Sequence, residues 1–169
     1  MIDLEVSRMQ LDDLDEVMEI EEDAFTMPWS RWMFERELSG ASDRSHFLLA
    51  RSDSEIVGYI GFWLAMNNEA HIVTIAVKNG FRRKGVASVL MVSALTLAAH
   101  LDCDKATLEV RISNTSAQQL YLKFGFEMVA IRRHFYSDTG EDAYVMWLYD
   151  LKDKLNEIRA YLRNMRNSK

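Results

Sequence analysis

The residue types best suited to chemistry in this 169-residue chain fall between His71 and Tyr121. They include a basic turn, Phe81-Arg82-Arg83-Lys84-Gly85-Val86-Ala87, which follows a β-branched run and opens an uncharged one. The first turn of a helix has N–H groups without partners and a positive dipole end, which suits a phosphate. Gly85 lets the backbone approach an anion closely, and Arg82, Arg83 and Lys84 add positive charge locally. The turn is not a P-loop, because no Gly-x-x-x-x-Gly-Lys-Ser/Thr string exists, and no Gly-x-Gly-x-x-Gly string exists either. A solvated basic turn before a helix is the other reading of the same residues. Glu109 shares one face of a strand with Thr107 and Arg111, while Leu108 and Val110 take the opposite face. Alternation alone makes it a solvated carboxylate. His71 has the basicity to move protons directly or through a water, or it is a strand-edge histidine without a task. Tyr121 lies with Ala117, Leu120 and Phe124 on the apolar face of a helix, the usual place of a core aromatic with a satisfied hydroxyl. Cys103, in Asp102-Cys103-Asp104, has no histidine nearby in sequence and carries little weight as a nucleophile.

Strands and helices must bring these residues together. Leu4 to Met9 alternates as a first strand, and Leu11 to Phe25 has a helical period in Leu14, Val17, Met18 and Ala24 on a very acidic surface. Thr26-Met27-Pro28-Trp29-Ser30 breaks it. Ser30 is placed to N-cap a short helix through Leu38, ended by Ser39-Gly40. Ser45 to Arg51 and Glu55 to Met66 read as a hairpin joined at Ser52-Asp53-Ser54, and Ala70 to Val77 reads as a strand. The helix from Val86 to about His100 is apolar on nearly every side, so it is expected to be buried against a sheet. Lys105 to Ile112 is a strand and Thr115 to Phe124 a helix; Phe126 to Tyr136 and Ala143 to Asp150 close the sheet. Leu151 to Met165 is amphipathic, with Leu151, Leu155, Ile158, Leu162 and Met165 on one stripe and Arg159, Arg163 and Arg166 beside it. It is expected to pack on its own domain, with ribosome or partner docking as the sharper alternative. The pattern is mixed α/β in a single domain.

Composition bounds the answer further. A chain of this length suggests one domain, and it can bury enough surface to fold without staples. With 49% apolar and 27% charged residues it is an ordinary globular protein, not a disordered or collagen-like one. The formal net charge of −6 is the wrong sign for a general nucleic-acid coat. A single cysteine excludes an internal disulfide framework and a cysteine-rich zinc site, and it fits a reducing cytosol. The start has no basic region followed by an apolar one, and the longest uncharged stretch is shorter than the ~20 residues that cross a bilayer. A cytoplasmic protein without a membrane partner is expected.

The basic turn does not stand alone. Ile75-Ala76-Val77 followed by Arg82-Arg83-Lys84-Gly85-Val86-Ala87 resembles the GNAT acetyltransferases, whose acetyl-coenzyme A signature is Arg/Gln-x-x-Gly-x-Gly/Ala at this strand-to-helix junction. Downstream, Leu108-Glu109-Val110-Arg111-Ile112-Ser113-Asn114, Leu120-Tyr121 and Phe124-Gly125-Phe126 look like the RimI and archaeal N-terminal acetyltransferase branch. Arg132-Arg133-His134-Phe135-Tyr136 and Gly140-Glu141-Asp142-Ala143-Tyr144 resemble the same branch. The likeness covers Leu4 to Asp150. Asn79-Gly80 stands where the family often has a proline, and the helix after Leu151 is an extension that the resemblance does not map.

The resemblance implies an α/β, single-domain GNAT fold over residues 1–150, a mixed V-shaped sheet flanked by helices, with residues 151–169 as a helical extension. The sheet would splay beside Ile75, Ala76 and Val77, whose backbone would pair with the pantetheine arm. The pyrophosphate would rest on the N–H groups of Arg83, Lys84, Gly85, Val86, Ala87 and Ser88 beside Arg82, and Asn114 would also touch acetyl-coenzyme A. No metal is implied. Glu109 would accept the amine proton, and Tyr121 would protonate the coenzyme A sulfur. His71 falls where related enzymes have an active-site residue. Phe25, Met27, Pro28 and Trp29 resemble the loop that grips a substrate's first residue, with Phe135 and Tyr136 as the opposing wall; the same residues could instead fill core. Glu21, Glu22 and Asp23 would attract an ammonium group or form a solvated acidic face. An α-amine titrates near 7.7–8 and a lysine amine near 10.4, so an N-terminal substrate asks less of a base. The function implied is acetyl transfer to the α-amine of protein N-termini, ribosomal proteins or nascent chains, with an auxiliary subunit left open. The alternatives are acetylation of a lysine or a small-molecule amine, or a coenzyme-A-binding subunit without catalysis.

Overall fold

The computed structural model describes residues 2–40 and 43–167, with side chains as far as Asn164. Strand β1 (Glu5–Arg8) leads through a 3-10 turn at Leu11–Asp13 into α1 (Leu14–Ala24), and α2 (Arg31–Leu38) follows. Ser30 caps α2 as expected, its hydroxyl accepting from the Met33 N–H. Strands β2 (Ser45–Ser52) and β3 (Glu55–Ala65) form a hairpin whose loop contracts to Asp53 and Ser54. Both loop residues have positive φ, which matches the right-handed twist of the flanking strands. Then come β4 (Glu69–Val77), α3 (Val86–His100), β5 (Lys105–Arg111), α4 (Thr115–Lys123), β6 (Glu127–Tyr136), β7 (Glu141–Leu148) and α5 (Leu151–Asn167). The seven strands form one sheet in the order β1-β2-β3-β4-β5-β7-β6. Strands β4 and β5 are parallel, joined by the crossover through α3, and the other neighbours among the described residues are antiparallel.

Each face of the sheet has its own core. On one, α3 is buried along Val86, Val89, Leu90, Met91, Ala94, Leu95 and Ala98 against Ile60, Phe62, Ile72 and Leu108. An all-round apolar helix can be held this way because α5 covers the side that the sheet leaves open. Leu151 and Ile158 of α5 are buried there, Leu155, Tyr161 and Leu162 pack beside them, and Arg159 Nε donates to Thr96 Oγ1 at 3.4 Å. Met165 and Arg166, the last of the apolar and basic stripes, have side chains outside the described residues. On the other face, Leu14, Val17 and Ile20 of α1 and Phe34 of α2 close over Phe47, Leu49, Ile56 and Tyr59. No helix among the described residues is long and apolar enough to cross a membrane.

Candidate active site

The sheet opens at one place. Strand β4 pairs with β5 only from Glu69–Lys105 to Ile72–Leu108. Beyond that, Val73 is an extra residue, because Gly61 pairs with Thr74 while Phe62 pairs with Ile72. Such a bulge increases local twist. The two strands part, and Thr74 to Val77 keep only β3 as a neighbour. Thr74 Oγ1 is buried here without a hydrogen-bond partner. A free strand edge beside an orphaned buried hydroxyl fits an extended polar ligand.

On one side of the opening lies a cavity of about 560 Å³. Ile75 and Val77 form one wall, Arg82, Arg83, Gly85, Val86, Ala87 and Ser88 the second, and Asn114 and Tyr121 the third. Gly85 has φ +91°, in the left-handed region where a side chain is strained, and α3 starts at the next residue. The basic turn thus delivers the partnerless N–H groups of a 15-residue helix to the cavity. Arg82 is braced by donating from Nε to the Val77 carbonyl at 3.2 Å. Two of the expected residues stand apart. Ala76 alternates to the opposite face and is buried in the core under α1, and the exposed Lys84 holds Nζ 5.0 Å from the Phe81 ring centre. Tyr161 of α5 joins the cavity unexpectedly, packed edge-on to Phe124 at 5.4 Å.

A second cavity, about 610 Å³, lies across the opening. Phe25, Met27 and Trp29 line it from the α1–α2 loop, and Phe135 and Tyr136 line it from β6, whereas Pro28 is exposed and outside it. Tyr121 borders both cavities. Burial pushes its phenol well above the ordinary range, so the hydroxyl keeps its proton.

Glu109 lines the second cavity and has both carboxylate oxygens engaged. His71 Nε2 stands 2.9 Å from its Oε2, and Arg132 Nη1 stands 2.8 Å from its Oε1. Burial raises its pKa, but contact with His71 and the charge of Arg132 outweigh this and hold it below the usual carboxylate value. His71 does not line the cavity; it touches it through Glu109. Arg132 is marked by the sequence only as part of the Arg132–Tyr136 stretch, with no role in the site. It reaches Glu109 from β6 across β7, a register set partly by irregular pairing that the sequence does not show.

The mouth of this cavity is braced. Arg111 Nη2 donates to both Asp138 oxygens at 2.9 and 2.7 Å, its guanidinium lies 3.9 Å from the Tyr136 ring centre, and its pairing with Asp138 holds that carboxyl at about 2. Asp138 also accepts from the Thr26 hydroxyl, so the α1–α2 loop touches the β6–β7 turn.

Glu21 departs from the solvated acidic face read in the sequence. Glu22 and Asp23 are exposed, but Glu21 is buried among the apolar residues of α1. Leu14, Val17 and Glu21 fall at helical spacing, and that was the available signal. Trp29 N–H donates to Glu21 Oε1 at 2.7 Å and the Tyr59 hydroxyl donates to Oε2. Burial outweighs the Trp29 hydrogen bond and pushes its pKa up to about 7. Cys103 is buried, which pushes its thiol up and leaves it inert. Among the described residues no cluster of histidine, cysteine or carboxylate groups is arranged to hold a metal.

Comparison with known proteins agrees with this architecture. The acetyltransferase (GNAT) family matches residues 14–126. A Bacillus subtilis protein, assigned provisionally as a [ribosomal protein bS18]-alanine N-acetyltransferase, is 41% identical, over 85% of this chain and 93% of that protein. The N-alpha-acetyltransferase of Sulfurisphaera tokodaii is 32% identical, over 83% of this chain and 90% of its own. The crystal structure of the ribosomal-protein-S18-alanine N-acetyltransferase from Escherichia coli superposes with a TM-score of 0.79 at 27% identity, over 88% of this chain and 94% of that one.

Proposed function

This chain belongs to the GNAT acetyltransferase family, and on that premise we propose that it transfers the acetyl group of acetyl-coenzyme A to the α-amine of protein N-termini in the cytoplasm, ribosomal proteins among them. The observation that carries the reading is Tyr121, a buried and protonated hydroxyl where two cavities meet, with an ionised Glu109 facing one of them. A donor and an acceptor of protons beside a two-ended channel suit transfer from one bound molecule to another. Binding alone would need neither.

Acetyl-coenzyme A supplies an activated thioester carbonyl. Its phosphates suit Arg82, Arg83 and the N–H groups at the start of α3, and its pantetheine amides suit the free edge at Ile75 to Val77 beside Thr74. The acceptor's first residue would sit between Phe25, Met27 and Trp29 on one side and Phe135 and Tyr136 on the other. As the amine nitrogen bonds to the acetyl carbon, the carbon–sulfur bond breaks, the amine loses a proton and the sulfur gains one. Tyr121 is the donor to sulfur. Glu109 receives the amine proton directly or through a water, and His71 in contact with it shares that proton. An imidazole is the stronger base of these two side-chain types, which favours the pair over either member. The extension 151–169 contributes one wall residue, Tyr161, to the donor side.

The test is mass spectrometry of a peptide panel incubated with acetyl-coenzyme A and the chain alone. Acetyl groups on α-amines, with internal lysines unmodified, are the expected outcome. Lysine or small-molecule acetylation would replace the proposal with its nearest rival, and activity that needs a second protein would identify an auxiliary subunit.

A further inference from the structure

Glu21 is the one buried carboxyl in the acceptor half that the chemistry above does not use. It lines the second cavity at the base of the α1–α2 loop; of its two contacts, Trp29 lines that cavity and Tyr59 lies in the core behind it. Trp29 N–H binds Oε1 from the far end of the loop, eight residues on, and the Tyr59 hydroxyl binds Oε2 from β3. These are the groups that face it: one backbone amide and one phenol, both uncharged donors. The segment from Ala24 to Trp29 is therefore closed into a ring by the carboxylate, with Phe25 and Met27 projecting from it into the cavity. Trp29 is packed in turn against Phe34, Phe47 and Trp63, with ring centres 5.2, 6.0 and 6.2 Å away. One end of the loop is held by aromatic packing and by Glu21, and its middle is held by the Thr26–Asp138 contact.

We propose that Glu21 is a positioning residue of the acceptor cleft, whose carboxylate holds the Phe25–Trp29 wall through Trp29 N–H and Tyr59 and so sets how tightly the acceptor's first residue is bound. The inference rests on the acetyl-transfer reading for its substrate, but not for the coupling itself. Hydrogen bonds to an ionised acceptor are stronger than those to a neutral one, so the wall is firmest while Glu21 is charged. Its pKa near 7 places the loss of that charge in the working range of pH.

The experiment compares wild type with Glu21→Gln, which keeps an oxygen for the Trp29 amide but not the charge, and with Glu21→Ala. Peptide KM, acetyl-coenzyme A KM and kcat are measured from pH 6 to 8.5. Glu21→Ala should raise peptide KM by about tenfold or more while acetyl-coenzyme A KM stays within a factor of about two. Titration of the substrate amine is common to all three enzymes, so the ratio of peptide KM values isolates Glu21. For Glu21→Gln over wild type that ratio should be largest at pH 8.5 and fall toward one at pH 6, where wild type is itself neutral at this position. A ratio of one throughout, or equal losses in kcat and in acetyl-coenzyme A KM, overturns the proposal. If Glu21→Ala does not fold, the Gln ratio decides by itself. The ¹⁵N shift of the Trp29 amide gives a readout free of catalysis: it should titrate near pH 7 in wild type and be flat in Glu21→Gln. A wild type that acetylates no peptide would overturn the acetyl-transfer reading, and the amide titration would then still decide whether Glu21 holds the loop.

Discussion

The two cavities are built by different means. The donor side is made of backbone: a strand edge freed by the Val73 bulge, a glycine at φ +91° and the start of a long helix. The acceptor side is made of side chains from separate elements: Glu21, Glu109 with His71 and Arg132, and Arg111 with Asp138. In the proposed function, backbone geometry serves the ligand that every turnover has in common. Side-chain networks can be changed one residue at a time, and they are the means by which a fixed scaffold would be fitted to different acceptors. Tyr121 belongs to both halves, so it is the place to try to break the distinction.

Tyr121→Phe should show the largest effect. Losing a general acid is worth about 10²–10⁴-fold in rate, and the ring would remain to fill its place. Single-turnover rates should fall by that much while peptide and acetyl-coenzyme A affinities hold. An unchanged rate across pH 6–9 would remove the donor from the mechanism. Next comes Glu109→Gln, expected to cost about 10²-fold in the same assay, with His71→Ala costing less and the double variant close to Glu109→Gln alone if the two act as a pair. Strictly multiplicative losses would separate them.

The donor side is sharpened by Gly85→Val. A β-branched residue at this φ is strained by about 1–3 kcal/mol, and its side chain would stand where a phosphate approaches. Calorimetry should find acetyl-coenzyme A bound roughly tenfold more weakly by a variant that still unfolds cooperatively, with peptide KM unaffected. Equal damage to both substrates would show that the halves are not independent.

The smallest effect belongs to Arg132→Gln. The folded-state pKa of Glu109 lies below its ordinary value, so the pairing contributes stability above the unfolded pKa, and that stability is lost as pH falls through the folded pKa. Removing the Arg132 charge raises the folded value, so acid destabilisation should begin at a higher pH. Arg132 is 56% exposed, and solvent screening limits the change to less than about 1 kcal/mol. Denaturation midpoints from pH 3 to 7 would show it; an identical acid limb would mean that His71 alone depresses the carboxyl.

The same division explains what could be read from the sequence. The strand, the basic turn and the helix from Val86 to His100 are contiguous, so local pattern and motif already grouped most of the residues that line the first cavity. The side chains of Ala76 and Lys84 point away from that cavity, which a contiguous motif does not reveal, so only their backbone is available to it. On the acceptor side Glu109 and His71 could be nominated singly, but their contact depends on the parallel register of β4 and β5. Arg132 needed two further registers, one of them irregular. Glu21 was hidden by its neighbours: in a run of three acids, composition suggests solvent, and only the helical phase set by Leu14 and Val17 separates it from Glu22 and Asp23.

The placement of α5 bears on how the chain is born. Its sheet and α3 precede α5 in the chain, yet the apolar side of α3 that faces away from the sheet is covered by Leu151 and Ile158, which follow the last strand. A nascent chain that has passed Leu148 therefore has every strand and still carries a bare oily face, the kind of surface that draws chaperones or other unfinished chains. Docking of α5 on α3 then brings Tyr161 beside Phe124 and adds its side chain to the lining of the first cavity. Trimming near Asp150 would uncover the side of α3 under Leu151 and Ile158 and remove Tyr161 from the first cavity, while His71, Glu109 and Tyr121 stay in the chain.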